Sequence, residues 1–111
     1  MPGKKSLHYS VYVVLLDPRI GRIGKVRQLN PGRDPKKPCI YVGMTGIDPA
    51  ERFRNHKRGY KASKYAQKYG IRLMPELYAD LNPLTYDEAV VAEEGLARRF
   101  REEGYTVVGG H

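Results

Sequence analysis

Apolar positions along the chain fall into two periods, and the switches between them outline the elements. Residues 9–16 read YSVYVVLL, dense in β-branched and aromatic side chains, which predicts a strand. Both faces of that run are apolar near its end, as a central strand requires, and Asp17-Pro18 ends it. Residues 39–42 (CIYV) predict a second strand, antiparallel to the first, in which Cys39 is a core side chain. Gly43 then lets the backbone turn away, and Met44-Thr45-Gly46 is a turn. Asp48 opens a helix with Pro49 at its first position and Glu51 three residues after the cap, a capping box with Asp in place of Ser or Thr. This helix should run over 49–58. Ser63 caps a second helix that reaches about residue 69 and closes at Gly70. Residues 71–78 predict a third strand, which Pro75 places at an edge. After Asn82-Pro83, Thr85 and Glu88 form a capping box and Gly104 is a stop, so the last helix spans 86–103. Residues 105–108 fit a short closing strand or coil.

Between the first two strands lies a long connection, residues 17–38. It holds four prolines, three glycines, two aspartates and seven basic residues. A structureless loop of this length is uncommon in a compact domain and is often functional. Residues 24–29 could form a short extra strand. The segment reads either as a basic flap on nucleic-acid backbone, through Arg33, Lys36 and Lys37, or as a solvated insertion.

Charge sharpens this picture. Residues 1–72 carry 17 of the 20 Lys and Arg but 4 of the 12 Asp and Glu, so a net +8 chain is strongly basic over its first two thirds. Such asymmetry is the footprint of a polyanion binder. Arg54, Lys57, Arg58, Lys61 and Lys64 lie in the two central helices with tyrosines interleaved, and are candidate phosphate contacts; solvated helix faces account for most of these lysines otherwise. The 111 residues make one domain, residues 1–111, with the insertion inside it. A single cysteine excludes an intramolecular disulfide and a multi-cysteine zinc site, which fits a reducing, cytoplasmic setting. No apolar run approaches the roughly 18 residues of a membrane span, and no signal peptide or membrane partner is expected.

Two features point to chemistry. Arg52 and His56 are four apart and share a helix face, close in sequence to the strand that carries Tyr41. In the last helix, the positions three, four and seven residues from Glu93 are Tyr86, Ala89, Val90, Leu96, Ala97 and Phe100. Glu93 therefore projects from the middle of the apolar stripe, whereas Glu94 shares a face with Asp87, Arg98 and Arg101. A carboxylate placed so needs an arginine, a proton or a metal ion.

These residues, in this order, resemble a GIY-YIG nuclease domain. Ser10-Val11-Tyr12 stands for the first motif element, with Ser10 at its glycine, and Tyr41-Val42-Gly43 for the second. The family arginine matches Arg52, the histidine of some members matches His56, and the metal-binding glutamate matches Glu93. A position that is often lysine is Met44 here, and no asparagine follows the last helix. The resemblance covers about residues 9–109. It implies an α+β fold, a small three-stranded antiparallel sheet flanked by about three helices. It also implies metal-dependent hydrolysis of phosphodiesters, in DNA in preference to RNA.

On that reading, one Mg²⁺ or Mn²⁺ sits on Glu93, Arg52 binds the scissile phosphate, and a tyrosine helps to deprotonate the attacking water. Tyr12 is the first choice for that base and Tyr41 the second, with His56 relaying a proton or binding phosphate. The competing reading is a nucleic-acid-binding domain of the same fold that has lost cleavage.

Overall fold

The computed structural model describes residues 6–110. Strand β1 (Ser10–Leu16) pairs antiparallel with β2 (Cys39–Thr45), from Ser10 opposite Thr45 to Leu16 opposite Cys39. On the far side of β1 lies β3 (Gly70–Leu73), also antiparallel. On the far side of β2 lies β4 (Thr106–Gly109), and this pair is parallel. The strand order is β3-β1-β2-β4. The fold is therefore α+β, but its sheet is four-stranded and mixed, which corrects the three-stranded antiparallel expectation. Four residues (TVVG) are too short to declare a strand by periodicity, and the parallel pairing depends on the long final helix carrying the chain back along the sheet.

There are four α-helices rather than about three: α1 (Gly24–Leu29), α2 (Pro49–Lys57), α3 (Lys64–Tyr69) and α4 (Tyr86–Glu102). The extra one, α1, lies in the insertion where a strand was the alternative. The segment 17–38 is not structureless. A 3₁₀ turn (Pro18–Arg22) precedes α1, and Ile20 and Val26 are fully buried. Buried Asn30 ties it to the sheet edge: its Nδ2 donates to the carbonyls of Val26 (2.8 Å) and Val107 (2.9 Å), and its Oδ1 accepts from the Val107 amide (2.8 Å). One side chain thus supplies the partner that β4, an edge strand, would otherwise expose.

The caps largely follow the sequence. Thr85 and Glu88 close their box on α4, and Gly104 turns with φ +94° after it. Asp48 caps α2 through the Ala50 amide (2.8 Å), but Glu51 does not bond back to the Asp48 amide, so the expected box is a single cap. Gly70 differs, because its φ of −66° is ordinary and it begins β3 rather than a left-handed stop. Residues beyond Leu73 leave the sheet as two 3₁₀ turns, Pro75–Leu77 and Ala79–Leu81, so the third strand is half its expected length. The core gathers β1, β2 and β4 with Leu96, Ala97 and Phe100 of α4, and buried Cys39 belongs to it. Among the described residues no helix is long and apolar enough to cross a membrane.

Candidate active site

The site begins with two tyrosines on neighbouring central strands. Tyr12 of β1 lies opposite Gly43 of β2, and Tyr41 is two residues before that glycine, so both rings project from the same sheet face. Their centroids are 6.1 Å apart. Gly43 is what lets them meet. A Cβ there would stand 2.7 Å from the Tyr12 ring and hydroxyl and 2.9 Å from the Tyr41 ring. The strand continues through Gly43 to Thr45, so the glycine makes room for two rings rather than turning the chain. Gly109 closes the other side of Tyr41 with φ +77°, where a Cβ would be 2.4 Å from the Val42 carbonyl.

His56 completes a buried floor. It is 0% exposed, and its Nε2 lies 2.8 Å from the Tyr12 hydroxyl. Its Nδ1 accepts from the Ser63 backbone amide at 3.0 Å. An Nδ1 that accepts must be unprotonated, so the neutral ring carries its proton on Nε2 and donates it to Tyr12. Burial first, and then the positive charge of Arg52, pull the His56 pKa down to about 4. The imidazole is therefore neutral at physiological pH. Tyr12 already accepts from His56, which leaves its own proton to be donated toward Tyr41, the phenol it interacts with.

The two phenols differ as acids. Burial, and then the neighbouring Tyr41, raise the pKa of Tyr12 far above the ordinary phenol value. Burial also raises Tyr41, but the Tyr12 hydroxyl and the Arg52 charge both pull it back. Tyr41 is also the more exposed of the two and borders a cleft of about 390 Å³ together with Arg52, Lys61 and Lys64. Tyr12, 1% exposed, lies beneath it.

Arg52 sits one helical turn before His56, half-buried at the cleft wall. Its guanidinium donates to the carbonyls of Lys61 (2.8 Å) and Tyr60 (3.3 Å). It thereby holds the loop after α2, in which Gly59 and Lys61 both have positive φ. That loop leads to Ser63, whose amide fixes the histidine tautomer. Arg52 is thus both a charge beside the tyrosines and the clasp of the loop that orients His56.

The negative charge of Glu93 on α4 raises both tyrosine pKa values, as the smallest of the influences on each. Glu93 is half-buried, not in the middle of a buried stripe. Tyr86, one of the residues assigned to that stripe, is 55% exposed, while Ala89, Leu96, Ala97 and Phe100 are buried. The stripe fails at its N-terminal end, where Tyr86 packs edge-on against Tyr9 at the surface. Among the described residues no three His, Cys, Asp or Glu side chains gather as metal ligands. A hard ion that keeps most of its water needs only one or two carboxylates. The Glu93 carboxylate, whose charge is felt at both phenols, is such an oxygen donor, and the donor type present fits a single Mg²⁺ or Mn²⁺.

Of the five central candidates, Tyr12, Tyr41, Arg52 and His56 therefore converge, and Glu93 bears on the two tyrosines through its charge. The basic candidates divide. Lys61 and Lys64 line the cleft. Lys57 instead donates to the carbonyls of Gln67 and Gly70 (2.9 Å each), joining α2 to the start of β3. Arg58 donates to the side chain of Asn55 on its own helix, and Arg54 is exposed. Arg33 packs half-buried beside Gly21, and Lys36 and Lys37 are exposed in the turn next to Gly104 and Tyr105. Sequence reasoning missed the Ser63 amide, Gly109 and the packing role of Gly43. Ser63 was visible only as a helix cap, and a glycine needed for ring clearance on a facing strand has no local signature. Compared with known proteins, the chain matches no family model, no curated protein and no solved structure.

Proposed function

We propose that the protein is a metal-dependent endonuclease that hydrolyses phosphodiester bonds in DNA, built on the plan of the GIY-YIG nucleases. One observation carries this reading: Tyr12 is hydrogen-bonded to buried His56 and lies beside Tyr41, and the charges of Arg52 and Glu93 bear on both phenols from separate helices. Packing accounts for Tyr12 as a core ring, but not for the charges of a cation and a carboxylate that bear on it and on the cleft-side Tyr41. This arrangement matches the needs of phosphodiester hydrolysis, which are a base, a phosphate clamp and an anionic anchor for a metal ion.

In this reading Tyr41 takes the role of base in preference to Tyr12. His56 donates to Tyr12 and Tyr12 donates toward Tyr41, so negative charge forming on the Tyr41 oxygen is met by a hydrogen bond and by Arg52. Tyr12 lies beneath the cleft, with its oxygen already accepting from His56, and acts as the relay that orients its neighbour. Arg52 contacts the phosphate from the cleft wall with the guanidinium N–H groups that do not hold the Tyr60 and Lys61 carbonyls. A divalent ion held by Glu93 would supply Lewis-acid stabilisation of charge on the leaving oxygen.

The test is incubation with branched, single- and double-stranded DNA in Mg²⁺, Mn²⁺ or EDTA, with Glu93→Gln alongside. Nicking should need the divalent ion and vanish in Glu93→Gln, while DNA binding survives. Divalent ions should raise the melting temperature of the parent and not of the variant, because a ligand of the folded state stabilises it. Binding without ion-dependent nicking in the parent would instead identify a domain that has lost cleavage. A Glu93→Gln protein that still nicks in Mg²⁺ would overturn the metal assignment.

A further inference from the structure

The cleft at the candidate active site is one of three adjoining depressions. The first contains Tyr41 and Arg52, the second Lys25 and Leu29 of α1, and the third Lys68 and Tyr69 of α3. Lys64 and Tyr65 line all three, so the depressions form one trough that leaves the tyrosine centre and passes between α3 and the inserted helix. We propose that this trough is a track for an unpaired nucleic-acid strand, with bases on Tyr65 and Tyr69 and phosphates on Lys25, Lys64 and Lys68. The proposal rests on the nuclease reading for the direction of the strand, but its chemistry is separate.

Three observations carry it. Both walls lack carboxylates, since residues 18–33 and 52–75 contain no Asp or Glu. Each tyrosine face already accepts a cation: Lys64 Nζ lies 5.4 Å from the Tyr65 centroid and Lys68 Nζ 5.4 Å from that of Tyr69. A ring open to an ammonium is open to a base, and lysines displaced from the rings become phosphate ligands. Finally, Tyr65 and Tyr69 are one helical turn apart, about 6 Å along the axis. That exceeds the roughly 3.4 Å per phosphate of a duplex strand, so two bases stacked there belong to a stretched strand. A duplex hides its base faces and offers the rings nothing to stack on.

The experiment measures fluorescence anisotropy in EDTA with three labelled probes: oligo(dT) of about 15 nucleotides, an abasic strand with the same number of phosphates, and a blunt hairpin duplex. Oligo(dT) should bind about tenfold or more tighter than the abasic strand, and tighter than the duplex. Tyr65→Leu keeps an apolar side chain but removes the flat ring. It should weaken oligo(dT) about fivefold to a hundredfold and the other probes less than about twofold. Tyr65→Phe should bind as the parent does. Equal binding of oligo(dT) and the abasic strand, or an equal loss on all three probes in Tyr65→Leu, would overturn the track alone. The expected preference without any cleavage in Mg²⁺ or Mn²⁺ would overturn the nuclease reading and leave the track standing. No binding to any probe would overturn both.

Discussion

The floor of the candidate site and its outer wall are built from opposite materials. The floor holds Tyr12 and His56, each at most 1% exposed, in a chain of hydrogen bonds whose proton positions are fixed by one backbone amide. The wall holds Lys61, Lys64 and Tyr65, whose polar ends stand in solvent or at the cleft rim. A group in the floor cannot change without leaving a buried partner unsatisfied. A charge in the wall is one among many. Loss of a floor group should therefore appear in catalysis and stability together, whereas loss of a wall charge should appear only in affinity. Arg52 joins the two, because it touches the tyrosines' field and clasps the loop at the rim.

That joint is where the comparison breaks most sharply. Arg52→Ala should lower the cleavage rate by about a hundred- to a thousandfold, the worth of a positioned donor to transition-state charge (roughly 2.7–4 kcal/mol). DNA binding should fall only slightly. Because its guanidinium also holds the Tyr60 and Lys61 carbonyls, Arg52→Ala should lower the melting temperature too, and Arg52→Lys should restore neither bidentate grip nor rate. Arg54→Ala, on an exposed part of the same helix, is the control. Equal effects in the two variants would mean that the wrong arginine was assigned.

The two tyrosines separate stability from chemistry within the floor. Tyr12→Phe strands the buried Nε2–H of His56, which should cost about 1–3 kcal/mol of folding stability. Tyr41→Phe, nearer the cleft, should cost less stability and more activity, with cleavage falling by about 10²–10⁴ if its oxygen is the base. Single-turnover rates and melting curves on the same samples check both. A Tyr41→Phe protein that cleaves normally, beside an inactive but stable Tyr12→Phe, would restore Tyr12 as the base.

How far the sequence showed this division depends on the element. α4 was legible almost to the residue, because its capping box, its apolar stripe and the glycine that ends it are all local signals. The same stripe pointed to Glu93, although it overstated the burial. Arg52, His56 and the tyrosines were legible through spacing and resemblance, but their hydrogen bonds were not. What orients His56 is a main-chain amide seven residues on, and main-chain donors leave no mark in a side-chain pattern. The insertion was the least legible part. Asn30 holds it down by imitating a strand partner to Val107, a contact 77 residues away in sequence that no periodicity can express. For the same reason β4 was read as strand or coil, and the sheet came out one strand short.

Histidine 56 should also give the floor a pH signature. Its folded pKa is about 4 against 6.5 for the free side chain, so the unfolded chain takes up the proton first. Stability from this group is fully present above about pH 6.5 and is lost as pH falls toward 4, at most a few kcal/mol in all. His56→Gln cannot titrate, so its melting temperature should fall less between pH 6.5 and 4.5 than that of the parent. Parallel pH profiles for the two proteins would show that the imidazole is not held neutral.

The smallest effects should come from the wall charges farthest from the floor. Lys36 and Lys37 are exposed in the turn that Asp34 closes with its side chain, beside the residues that follow α4. Only Lys37 has a further contact, with its Nζ 5.5 Å from the Tyr105 centroid. Neutralising each to Gln should leave melting unchanged and reduce the slope of log affinity against log salt by about one per charge. The loss should be the same for every DNA sequence and for single and double strands alike, since a phosphate contact reads neither. Arg33, half-buried beside Gly21, belongs to the other class in spite of its charge. Arg33→Gln should lower stability as well as affinity. If Lys36→Gln and Lys37→Gln leave the salt slope untouched, this turn makes no phosphate contact, and the basic character of the insertion acts only through Lys25 and its neighbours on α1. A salt slope that falls with Lys25→Gln but not with those two variants would place the whole electrostatic contact on the α1–α3 side of the molecule.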